Sequence, residues 1–142
     1  MKTAFIVNSI AIKRCPTEWR KVEGYIKDNH CFPCDVRMTQ SCGQASGLTR
    51  DAIGSGYERV VAVGGDGTMN EVINGIANSD VVMGIIPTGT ANDLASYYKI
   101  PPDINDACDI IKRNTLINIM SAQQNKSRII VPDQFRPHKI KM

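Results

Sequence analysis

The sequence predicts an α/β domain with a doubly wound, mostly parallel sheet. Apolar runs of strand length alternate with stretches that carry apolar residues at helical spacing. The strand-like runs, such as 3–8 and 59–64, are apolar throughout, which indicates a sheet that is covered by helices on both faces. Two glycine-threonine turns, GGDGT and PTGT, each follow such a run and precede a helix-like stretch.

The composition is typical of one globular domain. The 142 residues are 42% hydrophobic and 22% charged, and a chain of this length can bury a core. No apolar run approaches the ~18 residues of a membrane span. The first residues lack the long apolar region of a secretory signal. We therefore expect a cytoplasmic protein, with peripheral contact to a membrane as a further option.

The elements can be assigned in order along the chain. Pro16 and Thr17 are start signals for a first helix, and the glycines at 54 and 56 end a second one. The predicted strands are 3–8, 34–39, 59–64, 81–87 and 115–120. The predicted helices are 16–28, a segment carrying Ala45 to Ile53, 69–79, a segment beginning at 92–99, and 104–114. A polar turn and one more strand follow before residue 132.

Charge and cysteine content leave two questions open. Residues 122–142 hold five basic residues (Lys126, Arg128, Arg136, Lys139 and Lys141) against one Asp, so the net charge of +3 belongs to this tail. A solvated chain end is one interpretation, and contact with an anionic membrane surface or nucleic acid is the other, although we expect no nucleic-acid partner. Cys31 and Cys34 form a CxxC motif after His30. Because no second CxxC follows, we expect reduced thiols rather than a zinc or redox site.

The chemistry should lie at one rim of the sheet. Ligands of such sheets bind beyond the carboxyl ends of the strands. Asn8 ends the first predicted strand, Thr39 ends the second, and the turns GGDGT and PTGT follow the third and fourth. We expect these four strand ends to line a common site.

Glycines and helix starts at that rim favour a bound anion. Gly64, Gly65 and Gly67 leave backbone N–H groups accessible, and helices beginning near Thr68 and near Asn92 would add positive N-terminal ends. Phosphate fits these features, although plain turn chemistry would use the same glycines.

One acidic residue stands inside the first turn. The carboxylate of Asp66 would repel phosphate, so it makes sense if it holds Mg²⁺, orients a hydroxyl or accepts its proton. The structural alternative is an aspartate that caps a helix.

The segments GGDGTMNEV and PTGTANDLA together resemble the nucleotide-binding domain of the diacylglycerol kinase catalytic family, of the bacterial lipid kinase type. The resemblance extends over about 3–120. It implies a fold similar to phosphofructokinases and NAD kinases, with ATP over the sheet rim and Mg²⁺ as cofactor. A kinase acting on NAD is a weaker option, because GGDGT alone is shared with that class.

The resemblance also implies roles for single residues. Asp66 corresponds to the aspartate that is essential for phosphoryl transfer, and no residue is assigned as a metal ligand. Asn92 and Asp93 match the pair that closes the second turn. The implied nucleotide contacts are Asn8, Thr39, Gly65, Asp66, Gly67, Thr68, Met69, Asn70, Glu71 and Thr90.

The sequence departs from the family pattern after the first strand. The family has Asn-Pro and a glycine there, whereas this chain reads NSIAIKR. Ile10 and Ile12 are β-branched and do not easily adopt positive φ. We expect a reshaped turn, from which Lys13 and Arg14 could reach phosphates.

The second departure concerns the carboxyl-terminal part. In the family a second, β-sandwich domain supplies lipid contacts, acidic metal-site residues and the proposed base. We expect 1–121 to form the nucleotide-binding domain and 122–142 to form a basic tail with a remnant of the hairpin that enters the second domain. The implied function is transfer of phosphate from ATP to the hydroxyl of diacylglycerol or a related lipid. The alternative is a truncated nucleotide-binding or inactive remnant.

The predicted hairpin carries apolar residues at Ile117, Ile119 and 129–131. Without a second domain to cover them, we expect these residues to remain exposed and to drive formation of a homo-oligomer.

Overall fold

The computed structural model describes residues 1–28, 34–120 and 124–135. His30 and Cys31, and the tail residues Arg136, Lys139 and Lys141, lie outside the described residues. The strands are β1 (Thr3–Asn8), β2 (Cys34–Thr39), β3 (Arg59–Gly64), β4 (Val82–Pro87), β5 (Leu116–Met120) and β6 (Lys126–Ile130). The helices are α1 (Ser9–Arg14), α2 (Pro16–Asp28), α3 (Gln44–Gly54), α4 (Asp66–Ile76), α5 (Asp93–Tyr97) and α6 (Ile104–Arg113).

The strands form one six-stranded sheet in the order β2-β1-β3-β4-β6-β5. All neighbouring strands are parallel except β5, which runs antiparallel to β6 at the edge. The prediction of a doubly wound, mostly parallel α/β sheet is therefore confirmed.

Side chains on the two faces of the sheet enter two separate apolar clusters. In β1, Ala4 and Ile6 pack in the cluster that contains residues of α3, α4 and α5. Phe5 and Val7 point to the opposite face and pack with residues of α2 and α6. All four side chains are fully buried, which is why the strand is apolar at each position from Ala4 to Val7.

Two helices differ from the predicted bounds for local reasons. The segment after β1, predicted as a reshaped turn, forms helix α1, and none of its residues has positive φ. The side chain of Asn8 accepts a hydrogen bond from the Ile10 N–H at 2.9 Å and so caps this helix. Helix α4 begins at Asp66 rather than at the predicted 69, so most of the GGDGT turn is already helical.

The expectation of an uncovered hairpin is wrong. The hairpin formed by β5 and β6 joins the edge of the sheet, where β6 pairs in parallel with β4. It therefore does not have to pack on either face of the sheet, which the helices already cover. Ile129, Ile130 and Val131 are buried, and Ile117 and Ile119 pack against the core. Asn78 fixes the start of β6, because its N–H donates to the Lys126 carbonyl at 2.8 Å and its side chain accepts from the Lys126 N–H at 2.9 Å.

The four cysteines that the structure describes are free thiols. Cys15, Cys34 and Cys42 are exposed and Cys108 is buried, and none of these four forms a disulfide. Across the described residues, no helix is long and apolar enough to cross a membrane.

Candidate functional site

A cavity of about 330 Å³ lies at the carboxyl ends of three neighbouring strands. The walls come from the segments that follow β1, β2 and β3, which are 8–10, 39–42 and 67–71. Its volume falls at the lower end of the range of small-molecule sites, roughly 300–1,000 Å³. The lining residues are Asn8, Ser9, Ile10, Thr39, Gln40, Ser41, Cys42, Gly67, Thr68 and Glu71.

Two helices begin at the wall of this cavity without a side-chain cap. The N-cap residues of α3 and α4 are Gly43 and Gly65, and neither helix has a capping hydrogen bond from a side chain. Glycine cannot supply such a cap, so the first N–H groups of α4 are left for another acceptor. At the start of α3, the Gln44 N–H donates to the Ser41 carbonyl at 3.5 Å. Both helices have 11 residues, long enough for an appreciable positive end.

The end of β1 is tied to the start of α4 across the cavity wall. Asn8 Nδ2 donates to Thr68 Oγ1 at 3.4 Å, and Thr68 is only 5% exposed. Thr68 also touches the preceding turn closely, since a Cβ on Gly64 would lie 2.6 Å from Thr68 Oγ1. A glycine is required at position 64 for this reason. The threonine of GGDGT thus fixes the geometry of the wall.

Among the described residues that line the cavity, Glu71 has the only charged side chain. None of these described residues is a lysine or arginine, so their attraction for an anion must come from the helix start. Glu71 Oε1 lies close to α3, 3.8 Å from the position a Cβ on Gly43 would take. A phosphate would be repelled near Glu71 and favoured at the start of α4, near Gly67 and Thr68.

Asp66 does not line the cavity. Its carboxylate accepts two backbone hydrogen bonds, from Asp93 N–H to Oδ2 and from Leu94 N–H to Oδ1, each 3.1 Å long. The capping alternative is thus realised, although the helix that Asp66 caps is α5 and not its own.

The second turn packs directly against the first one. A Cβ on Gly89 would lie 2.6 Å from Gly65 Cα, which leaves no room for a ligand between the two turns. Thr88 N–H donates to the Gly64 carbonyl at 2.9 Å. Asn92, with φ 53°, closes the second turn by accepting from Gly89 N–H at 3.0 Å and donating to the Gly89 carbonyl at 2.9 Å. The strand end of β4 therefore supports the rim but does not line the cavity.

The predicted site residues thus divide into two groups. Asn8, Thr39, Gly67, Thr68 and Glu71 line the cavity together. The other predicted contacts do not line it: Gly65 and Asp66 face the second turn, Met69 is 2% exposed in the core, and Asn70 and Thr90 are exposed elsewhere.

Five lining residues were missed by the sequence reasoning. Ser9 and Ile10 belong to α1, a helix that the sequence did not predict. Gln40, Ser41 and Cys42 form the connection between Thr39 and α3. The sequence could have predicted these three loop residues. They directly follow a strand that ends at the rim, and loops at the carboxyl ends of such strands line the same site.

The family model described as diacylglycerol kinase catalytic domain matches residues 2–123. A diacylglycerol kinase of Staphylococcus carnosus is 35% identical over 101 residues, which are 70% of this chain and 33% of that protein. A diacylglycerol kinase of Staphylococcus epidermidis is 43% identical over 82 residues, 56% of this chain and 26% of that protein. The chain thus spans about a third or less of the curated relatives it matches.

Solved structures share the fold. A structure from Bacillus anthracis superposes with a TM-score of 0.75 at 24% identity and covers 87% of this chain and 44% of that one. A second structure from the same organism, described as a diacylglycerol kinase, gives a TM-score of 0.63 at 21% identity, with 87% and 47% covered.

Proposed function

Since the chain belongs to the family of the diacylglycerol kinase catalytic domain, we propose that its cavity binds the nucleotide of an ATP-dependent lipid kinase. The observation that carries this proposal is the glycine-capped start of α4, whose residues Gly67 and Thr68 line the cavity. Its uncapped N–H groups suit phosphate oxygens. The side of the cavity near α3, with Glu71 and Gln40, suits the hydroxyl and amino groups of a nucleoside.

The proposed reaction is phosphoryl transfer to the hydroxyl of diacylglycerol or a related lipid. The hydroxyl oxygen forms a bond to the γ-phosphorus, the bond from that phosphorus to the β,γ-bridging oxygen breaks, and the hydroxyl proton passes to a base. Asp66 is the candidate base. A carboxylate offers about four lone-pair sites, and the α5 amides take two of them, so Asp66 keeps capacity to accept a proton.

Magnesium fits as an ion that accompanies the nucleotide. Among the described residues, no group of three potential ligands stands ready for a metal. Mg²⁺ is usually held by one or two carboxylates together with substrate phosphates. Glu71 is the carboxylate on the wall that could complete such a set. The ion would supply charge neutralisation on the phosphates.

A second candidate function is nucleotide binding without transfer. It is favoured by the engagement of both Asp66 oxygens with α5. The cavity needed for binding is present among the described residues.

Two measurements test these functions in sequence. Calorimetry with ADP tests binding, and we expect a dissociation constant in the micromolar to millimolar range. Transfer of radiolabelled phosphate from ATP to diacylglycerol in micelles tests catalysis, and we expect activity near background for these 142 residues. No ADP binding would contradict both functions. Robust transfer that is lost in Asp66→Asn would remove the second.

Domain division, association and location remain proposals. We keep the division into 1–121 and 122–142, noting that β6 lies within the sheet. Strand β5 offers an edge, LINIM, that carries no charged residue to prevent pairing with another copy, so a homo-oligomer is proposed. A cytoplasmic location with peripheral membrane contact would suit a lipid substrate.

A further inference from the structure

We infer that Asp66 is a positioning residue of the nucleotide rim, which holds the second glycine turn and α5 against the first turn. The part of the inference that concerns nucleotide affinity rests on the proposed function. The part that concerns the position of α5 rests only on the hydrogen bonds of Asp66.

The carboxylate of Asp66 reaches across the chain rather than along its own helix. Its two donors, Asp93 N–H and Leu94 N–H, lie 27 and 28 residues away in sequence, and both hydrogen bonds measure 3.1 Å. Hydrogen bonds from backbone N–H groups to an ionised carboxylate are roughly twice as strong as those between neutral groups. Asp66 also stands in the first turn of α4, where its charge stabilises that helix.

These two bonds are the only side-chain hydrogen bonds from the first turn to the second turn or α5 in the part of the chain that the structure describes. The remaining connections are one backbone bond, from Thr88 N–H to the Gly64 carbonyl, and the contact of Gly65 with Gly89. Helix α5 has five residues and cannot hold its position by its own stability. Apolar packing also holds α5, since Ala95 and the C-cap residue Tyr98 are buried in the core and Leu94 packs against it. Asp66 adds the polar contact that fixes the first residues of α5 and, through them, the second turn.

The position of the second turn matters for the cavity because it supports the N-cap of α4. Gly65 rests on Gly89, and the following residues Gly67 and Thr68 line the cavity. If the second turn moves away, the backbone at Gly65 loses its support and the N–H groups at the start of α4 lose their fixed direction. Affinity for phosphate should then fall, although a negative charge has been removed nearby.

The test combines three variants of the full chain with two measurements. Asp66→Ala removes both acceptors, and Asp66→Asn keeps one acceptor and the size of the side chain. The matched control is Asp103→Ala, because Asp103 caps α6 in the same way, accepting from Asp106 N–H at 3.0 Å, and does not line the cavity. Amide hydrogen exchange and the affinity for ADP in EDTA are measured for each variant.

We expect Asp66→Ala to accelerate exchange at Asp93 and Leu94 by about tenfold or more, since charge-assisted bonds are lost. The dissociation constant for ADP should rise by about five- to tenfold, which is the change expected from the loss of about one hydrogen bond. Asp66→Asn should give intermediate values for both. Asp103→Ala should accelerate exchange at Asp106 and leave the ADP affinity within about twofold, a range typical of distant, independent sites.

Two results would overturn the inference. Unchanged exchange at Asp93 and Leu94 in Asp66→Ala would show that Asp66 does not hold α5. Tighter ADP binding in both Asp66 variants would show that the residue acts on the ligand by charge alone. If the unchanged protein fails to bind ADP, the proposed function is wrong, but the exchange data still decide whether Asp66 positions α5.

Discussion

The two glycine-threonine turns resemble each other in sequence but have different tasks in the structure. The first turn, 64–68, begins an 11-residue helix and contributes Gly67 and Thr68 to the cavity. The second turn, 87–92, begins a five-residue helix and contributes nothing to the cavity wall. Glycine in the first turn leaves backbone exposed to a ligand, whereas Gly89 in the second lets one backbone approach another. Similar turns therefore need not bind the same ligand.

The largest expected effect comes from placing a methyl group between the turns. In Gly89→Ala the new Cβ would lie 2.6 Å from Gly65 Cα and 2.9 Å from Asn92 Oδ1. Because the first neighbour is backbone, the turns must separate, and we expect a loss of about 2–3 kcal/mol in the free energy of unfolding. Urea denaturation measures this loss.

Gly67→Ala is the matched control for that variant. A Cβ at position 67 meets no atom within 4 Å, and the residue is helical. Alanine should therefore change stability by less than about 1 kcal/mol, in the stabilising direction. Equal losses in the two variants would contradict the difference between the turns.

The threonines provide the second comparison. Thr68→Val removes the acceptor of the Asn8 amide, so we expect a loss of about 1 kcal/mol in stability and about tenfold weaker ADP binding. Thr90 is exposed and does not line the cavity, so Thr90→Val should leave stability within about 0.5 kcal/mol. ADP affinity should also be unchanged. Calorimetry measures the ADP affinity of both variants. If only Thr90→Val bound ADP more weakly, Thr90 and not Thr68 would belong to the nucleotide site.

A smaller and opposite effect is expected at Thr88. Its hydroxyl is buried and has no hydrogen-bond partner among the described residues. Thr88→Val removes this unsatisfied group, so stability should stay equal or rise by up to about 1 kcal/mol. A loss larger than that in thermal or urea unfolding would indicate that the hydroxyl has a role that its contacts do not explain.

The smallest expected effect is a change in thiol reactivity. Burial, with help from Asp109 and Asp103, raises the pKa of Cys108 to about 12, so this thiol should resist alkylation at pH 8. Cys42 lines the cavity and is exposed, and ADP should slow its alkylation. Cys15 and Cys34 are exposed elsewhere and should react at the same rate with and without ADP. Mass spectrometry of the modified protein gives each rate.

The raised pKa of Cys108 also sets a direction for stability at high pH. The unfolded thiol ionises near pH 9, whereas the folded one stays protonated up to about 12. Stability from this residue is therefore complete below pH 9 and decreases as the pH rises from there towards 12. Cys108→Ala should reduce this dependence.

Much of the fold could be predicted because the central strands β1, β3 and β4 are apolar along most of their length. The bounds of β1, β2 and β3 agree with those expected from the sequence. Side chains of β1 and β3 enter the apolar clusters on both faces of the sheet, which makes these strands recognisable as apolar runs. Helix α1 could not be predicted, because its stability depends on the cap by Asn8 and on packing of Ile12 against the core.

The candidate site was predictable only in part. The motif correctly placed Gly67, Thr68 and Glu71 on the cavity wall, but it did not distinguish residues that face the ligand from residues that face the other turn. Met69 and Asp66 are neighbours of lining residues in sequence, and helical rotation directs one into the core and the other to α5. Such directions depend on where the helix begins, and α4 begins earlier than its apolar pattern indicates.

An NMR titration with ADP tests most directly whether the first turn binds nucleotide while the second supports it. We expect the largest amide shifts at 8–10, 39–42 and 65–71, around the cavity. The amides of Asp93 and Leu94 should shift little, because the carboxylate of Asp66 already occupies them. If the largest shifts instead fall within 88–94 while Gly67 and Thr68 remain unchanged, the second turn is the nucleotide site and this account is wrong.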